Sequence, residues 1–101
     1  MESRAGRVLL IDPDDARRRL LVQRLRAQGH EVEEASDAVR GAELALSAPP
    51  VAVIAQLWTA TASGVQLCRL LRAEPATADV PVILCGTDEP RNRFWAGHIT
   101  Q

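Results

Sequence analysis

The sequence predicts an α/β domain built on a doubly wound parallel sheet. Three observations carry this. Short aliphatic runs, Arg7–Ile11, Val51–Ala55 and Val80–Cys85, each end in a turn residue or a polar loop. Longer stretches lie between them, with apolar residues recurring at helical spacing. Strands that alternate with helices imply parallel crossovers rather than hairpins. With 101 residues, the chain is expected to form one domain, residues 1–101, with no room for a second core.

Each element has its own signal. Strand one, Arg7–Ile11, stops at Asp12-Pro13, because proline cannot continue a central strand. Asp14 or Asp15 can cap the helix that follows, with Leu20, Leu21 and Leu25 as its apolar positions and Gly29 as its stop. Arg17, Arg18, Arg19, Arg24 and Arg26 are read as the solvated remainder of that helix. The acidic segment from Glu31 to Asp37 follows at once and argues against a nucleic-acid patch. Val32–Ala35 is a weak second strand. Ser36 or Asp37 caps a second helix through Leu46, with Ala38, Ala42, Ala45 and Leu46 facing inward, and Pro49-Pro50 closes it.

The third strand, Val51–Ala55, reads as buried on both faces. A polar loop follows it, and Gly64 leads into the amphipathic helix Val65–Ala73. The segment 74–79 is a loop, and Val80–Cys85 is a fourth strand with Gly86 at its carboxyl end. Pro90 is placed to start a short helix that would carry Phe94 and Trp95. In an open α/β sheet the carboxyl end of a central strand is where chemistry is mounted. Here that end carries the neutral amide Gln56, and no carboxylate occurs from Val51 to Gly64.

Composition excludes several classes. A net charge of −1 points to neither nucleic acid nor an acidic partner. No apolar run approaches the roughly 20 residues of a membrane span. The first seven residues hold no apolar segment of a secretory signal, so a cytoplasmic protein is expected. Cys68 and Cys85 both sit in apolar runs and are read as buried thiols.

The order of elements, with Asp12 closing strand one and Gly29-His30-Glu31-Val32 following helix one, resembles the receiver domain of two-component response regulators. The strongest match runs from Gly64 through Leu67-Cys68-Arg69-Leu70-Leu71-Arg72 and segment 73–79 to Val80-Pro81-Val82-Ile83-Leu84. The similarity spans roughly residues 7 to 97. It implies a flavodoxin-like (CheY-like) sheet, here lacking a full fifth strand and fifth helix. A receiver takes a phosphoryl group from a histidine kinase onto an Asp that ends strand three. Magnesium assists, held by that Asp and by an acidic pair ending strand one. A Thr or Ser ends strand four, and a Lys ends strand five.

Carried onto this chain, the resemblance puts Gln56 at the phosphoacceptor position and Asp12 and Pro13 at the acidic pair. Gly86 falls at the hydroxyl position, with Thr87 one residue late. The Lys has no counterpart, Gln101 lying nearest to it. Asp12, Pro13, Asp14, Gln56, Trp58, Gly86 and Thr87 therefore form a degenerate pocket, expected to have no phosphoacceptor, no catalytic residue, no cofactor and no bound metal. Asp12 and Asp14 are the only weak metal candidates. Magnesium demands hard oxygen ligands in near-octahedral geometry, and one sure carboxylate does not supply them.

The reading that follows is a pseudo-receiver: a phosphorylation-independent module that binds protein partners in bacterial signalling, and not an enzyme, a nucleic-acid binder or a membrane protein. Two others stay open. One is a small-molecule binder or enzyme that reuses the crevice lined by Asp12, Asp14, Gln56 and Thr87, although His30 and His98 offer no nucleophile–base pair. The other is a receiver phosphorylated at an atypical acceptor such as Asp88 or Glu89. A homodimer through Val80–Cys85 or the Phe94-Trp95 region is expected if strand four is an open apolar edge. Trp58, on the loop after Gln56, either caps the disused pocket against Pro13 or stands out as an anchor for a partner.

Overall fold

The computed structural model describes residues 7–86. The sequence readings that fall on Thr87, Asp88, Glu89, Pro90, Phe94, Trp95, His98 and Gln101 lie outside those residues.

Four strands and three helices alternate in the chain: β1 (Arg7–Ile11), α1 (Asp15–Ala27), β2 (Glu31–Ala35), α2 (Ala38–Ser47), β3 (Ala52–Gln56), α3 (Gly64–Ala73) and β4 (Val82–Cys85). The strands form one all-parallel sheet in the order β2-β1-β3-β4. This is the α/β architecture that the alternation predicts. Among the described residues the two outer strands are β2, rich in glutamate, and β4, which is apolar.

Side chains alternate across the sheet. Leu9, Ile11, Val53, Ala55, Val82 and Leu84 point to one face. There they meet Ala38, Ala42 and Ala45 of α2 and Leu67, Cys68 and Leu71 of α3 in the main core. Leu10 and Ile54 point the other way, toward Leu21 and Leu25 of α1. The sheet is thus wound on both faces. Ile54 and Ala52 keep partial exposure, so β3 is buried fully on its core face only, not on both.

The caps explain where the helices begin. Asp14 caps α1, its carboxylate accepting from the Arg17 amide, and Asp37 caps α2 by accepting from Arg40. Ser63 and Gln66 form a reciprocal capping box on α3. Gly29 follows α1 with φ of 94°, a left-handed conformation that glycine adopts without steric cost. The turn after α3 is closed by a residue the sequence reading passed over. Thr77 is fully buried, and its hydroxyl donates to the Leu71 carbonyl at 2.7 Å.

Two helix faces differ from expectation. Leu20 of α1 is 47% exposed, and the residue that reaches the core is Val22. Three apolar residues in a row leave the phase of a helix ambiguous, and the docking of α1 on β1 and β2 resolves it. In α2, Leu46 is exposed, while Gly41 takes the inward position against Ile11. Of the two cysteines, Cys68 is buried but Cys85 only half so.

Candidate functional site

The carboxyl ends of β1 and β3 lie side by side. Ile11 pairs with Ala55, which brings Asp12 level with Gln56, and Gln56 pairs with Cys85, so that Gly86 follows at the same edge. The topology therefore gathers Asp12, Gln56 and Gly86, as the sequence predicts, with Pro13 and Asp14 leading away into α1. Thr87, the remaining predicted member, lies outside the described residues.

Asp12 is fully buried. A carboxylate in such a position needs a cation or several donors as partners. Arg17 supplies both. Its Nε donates to Asp12 Oδ2 at 2.6 Å, and its Nη2 donates to Oδ1 at 2.8 Å. This is a bidentate, charge-assisted clamp. The Asp14 amide donates to the same Oδ1 at 2.8 Å, closing a short turn over Pro13. Arg18 holds the backbone of the same residue, its Nη1 donating to the Asp12 carbonyl at 2.7 Å. Its other nitrogens reach Glu34 on β2 and Asp15 on α1. Those two carboxylates also raise the pKa of Arg18, the hydrogen bond it donates to Asp15 foremost.

The reading of these arginines as a solvated face is therefore corrected for Arg18, while Arg17 keeps its exposure but is committed to Asp12. Their stems run back from the first turn of α1 to the end of β1, and Arg18 is only slightly exposed. Helical periodicity does not register a side chain that reaches five residues back to another element. The signal in the sequence was Asp12 itself, a carboxylate closing a buried strand with a guanidinium within reach.

Asp14 is committed as well. It is solvent-exposed, and its carboxyl is held below the usual carboxylate range mainly by the cap bond from the Arg17 amide. Gln56 is buried, presenting an amide where the crevice would otherwise hold a charge. Burial, with the Asp12 charge adding to it, pushes the Cys85 thiol up, so this sulfur is not a thiolate near neutral pH.

The loop after β3 is fixed at both ends. The Leu57 amide donates to the Cys85 carbonyl at 2.8 Å, and the Gly64 amide donates to the Leu57 carbonyl at 2.7 Å. Two threonines, unremarked in the sequence reading, tie the loop to the start of α2. The Ala38 amide donates to the Thr59 hydroxyl and the Val39 amide to the Thr61 hydroxyl, both at 3.2 Å. These are N-terminal helix donors that lack intrahelical partners. On this held loop Trp58 pairs by backbone with Ser63, while its side chain stays out. Trp58 is 54% exposed, so much of its surface faces solvent.

No family model matches the chain. A curated relative, the DNA-binding dual master transcriptional regulator RpaA of Synechocystis, is 33% identical over 78 residues, which cover 77% of this chain and 32% of that protein. This chain therefore spans about a third of the relative's length. Among solved structures, the chemotaxis protein CheY4 of Vibrio cholerae superposes with a TM-score of 0.79 at 21% identity, covering 89% of this chain and 76% of that one. The fold is that of CheY-like receiver domains. The receiver domain of the sensor histidine kinase PA1611 from Pseudomonas aeruginosa matches with a TM-score of 0.80 at 19% identity, over 89% of this chain and 75% of that one. That structure carries a magnesium ion coordinated in its active-site cleft.

The receiver fold thus implies magnesium at the edge where Asp12 and Gln56 meet. The residues present do not fit it. Both oxygens of Asp12 already accept from Arg17, Pro13 offers no carboxylate, and Asp14 is engaged as a helix cap. Among the described residues no three of His, Cys, Asp and Glu gather as a metal cluster. No helix among them is long and apolar enough to cross a membrane.

Proposed function

We propose that this chain is a cytoplasmic receiver-type domain that signals without phosphorylation, as a protein-interaction module in a two-component-type pathway. The single observation that carries this is Gln56. Phosphoryl transfer to a receiver needs a carboxylate oxygen as nucleophile, and an amide at that place does not provide one. Cations must also neutralise the charge that develops on the transferred group, and Asp12, level with Gln56 on the sheet, already has both oxygens engaged by Arg17. The reading assigns the chain no catalysis.

Incubation with acetyl phosphate and magnesium is expected to leave the intact mass unchanged. The Gln56→Asp variant should also fail to label rapidly, because Arg17 still holds Asp12 and neither Pro13 nor Gly86 supplies the missing ligand or hydroxyl. A gain of one phosphoryl group on the unaltered protein would sink the proposal.

Support for an interaction role comes from Trp58. Large side chains on fixed loops lose little freedom on binding, and tryptophan is enriched at the energetic centres of interfaces. The loop also borders, through Ala62, an open apolar groove between α2 and α3 that includes Val39, Leu46 and Leu70. Trp58→Ala is expected to leave the melting temperature nearly unchanged and to weaken capture of the native partner by about thirtyfold, the equivalent of ~2 kcal/mol. A variant that melts early but binds normally would return Trp58 to a packing role.

A further inference from the structure

The crevice that a receiver would fill with a metal ion is not left without positive charge. We propose that the Arg17 guanidinium is the resident cation of this crevice, holding Asp12 in place of a divalent metal, so that the carboxyl edge of the sheet is set in one state without metal. This deepens the phosphorylation-independent reading and rests on it only for its consequence in signalling. The clamp itself stands on geometry.

Four observations carry it. Asp12 is fully buried, and its side chain has three donors at 2.6–2.8 Å, two of them from one guanidinium. Arg17 is itself held from behind, since its backbone amide donates to Asp14 Oδ1 at 2.8 Å. The clamp is thus preorganised by the same turn that caps α1. The carboxylate that could otherwise swing toward a metal is the one making that cap. Finally, an entering dication would meet a guanidinium already seated on both oxygens, and would have to displace two charge-assisted bonds while facing a like charge.

The pair is also lopsided, and this gives the test its direction. The Asp12 side chain is 1% exposed, whereas that of Arg17 is 43% exposed. Removing Arg17 strands a buried carboxylate, while removing the Asp12 charge leaves a guanidinium that water can reach. The first change is therefore the costlier one.

The experiment uses the full chain, with thermal melting and amide chemical shifts as readouts. Magnesium chloride and manganese chloride, at millimolar concentration, are the probes. For the unaltered protein, neither metal should move the melting temperature or the Asp12 and Asp14 amide signals. Arg17→Gln should lower the melting temperature by about 10–20 °C. Asp12→Asn should lower it by less, and the double variant Asp12→Asn with Arg17→Gln should recover more than half of the loss caused by Arg17→Gln alone.

A metal-dependent shift in the unaltered protein overturns the inference. So does an Arg17→Gln protein that melts with the parent, or a double variant no more stable than Arg17→Gln. If Arg17→Gln does not fold, the double variant still decides, since folding supports a charge role and failure to fold assigns Arg17 to packing alone. The phosphodonor assay separates the two readings. A metal response with no mass gain removes the clamp and leaves the proposed function standing, and a mass gain with a flat metal response does the reverse.

Discussion

Gly64→Ala is expected to destabilise the domain by about 1–3 kcal/mol, toward the upper end of that range, although it adds one methyl group at a helix start. A Cβ built at this position lies 2.7 Å from Leu84 Cδ2, 3.0 Å from the Gln56 carbonyl oxygen and 3.3 Å from Leu57 Cα. The leucine methyl could rotate away in an open site, but Leu84 is fully buried. The other two neighbours are backbone at the end of β3 and cannot rotate at all. Relief must come from α3 backing away from the sheet, or from the β3 end giving way. Urea unfolding measures the loss, and an alanine variant as stable as the parent would show that α3 docks with slack the geometry does not reveal.

Leu84→Ala should have the largest effect of a single truncation, about 2–5 kcal/mol, from lost burial plus the cavity left behind. Leu84 has no exposure, and it is packed in the core shared by the sheet with α2 and α3. Its neighbour Ile83 points the other way and is 38% exposed, so Ile83→Ala in the same unfolding series is the control and should cost much less. Combining Leu84→Ala with Gly64→Ala is informative. Truncation removes the 2.7 Å clash but leaves the 3.0 Å one, so the pair should cost less than the sum of its parts without reaching the cost of Leu84→Ala alone. Strict additivity would mean that the leucine methyl is not the group resisting the new Cβ.

Strand positions were legible in the sequence to within one or two residues, because Pro13, Pro50 and Gly86 punctuate the aliphatic runs. The observed shifts, such as Val82 rather than Val80 opening β4, are end effects. The Ser63-to-Gln66 spacing of a capping box was equally readable in the sequence, but the expected helix began at Val65 and left the cap unassigned. What resisted reading was whatever depends on a long side chain finding a partner in another element. Arg17 and Arg18 belong to this class, as do the Thr59 and Thr61 hydroxyls that serve α2. Gln56, in contrast, needed no structure, since its importance lies in what it lacks. The crevice was thus half visible: its missing groups could be seen in the sequence, and the guanidinium that compensates for them could not.

The packing of α1 has a consequence for ionic strength. Val22 alone of its residues is fully buried, and much of what fastens the helix is charge. The Arg18–Glu34 pair lies where solvent reaches it, and salt screens such pairs over a Debye length of about 8 Å under physiological conditions. The Arg17–Asp12 pair is walled in on its acidic side and is screened much less. Added salt therefore does not loosen the helix evenly. It weakens the Arg18–Glu34 link to β2 first, while Arg17 and the Arg18 bond to the Asp12 carbonyl keep the first turn pinned over the end of β1.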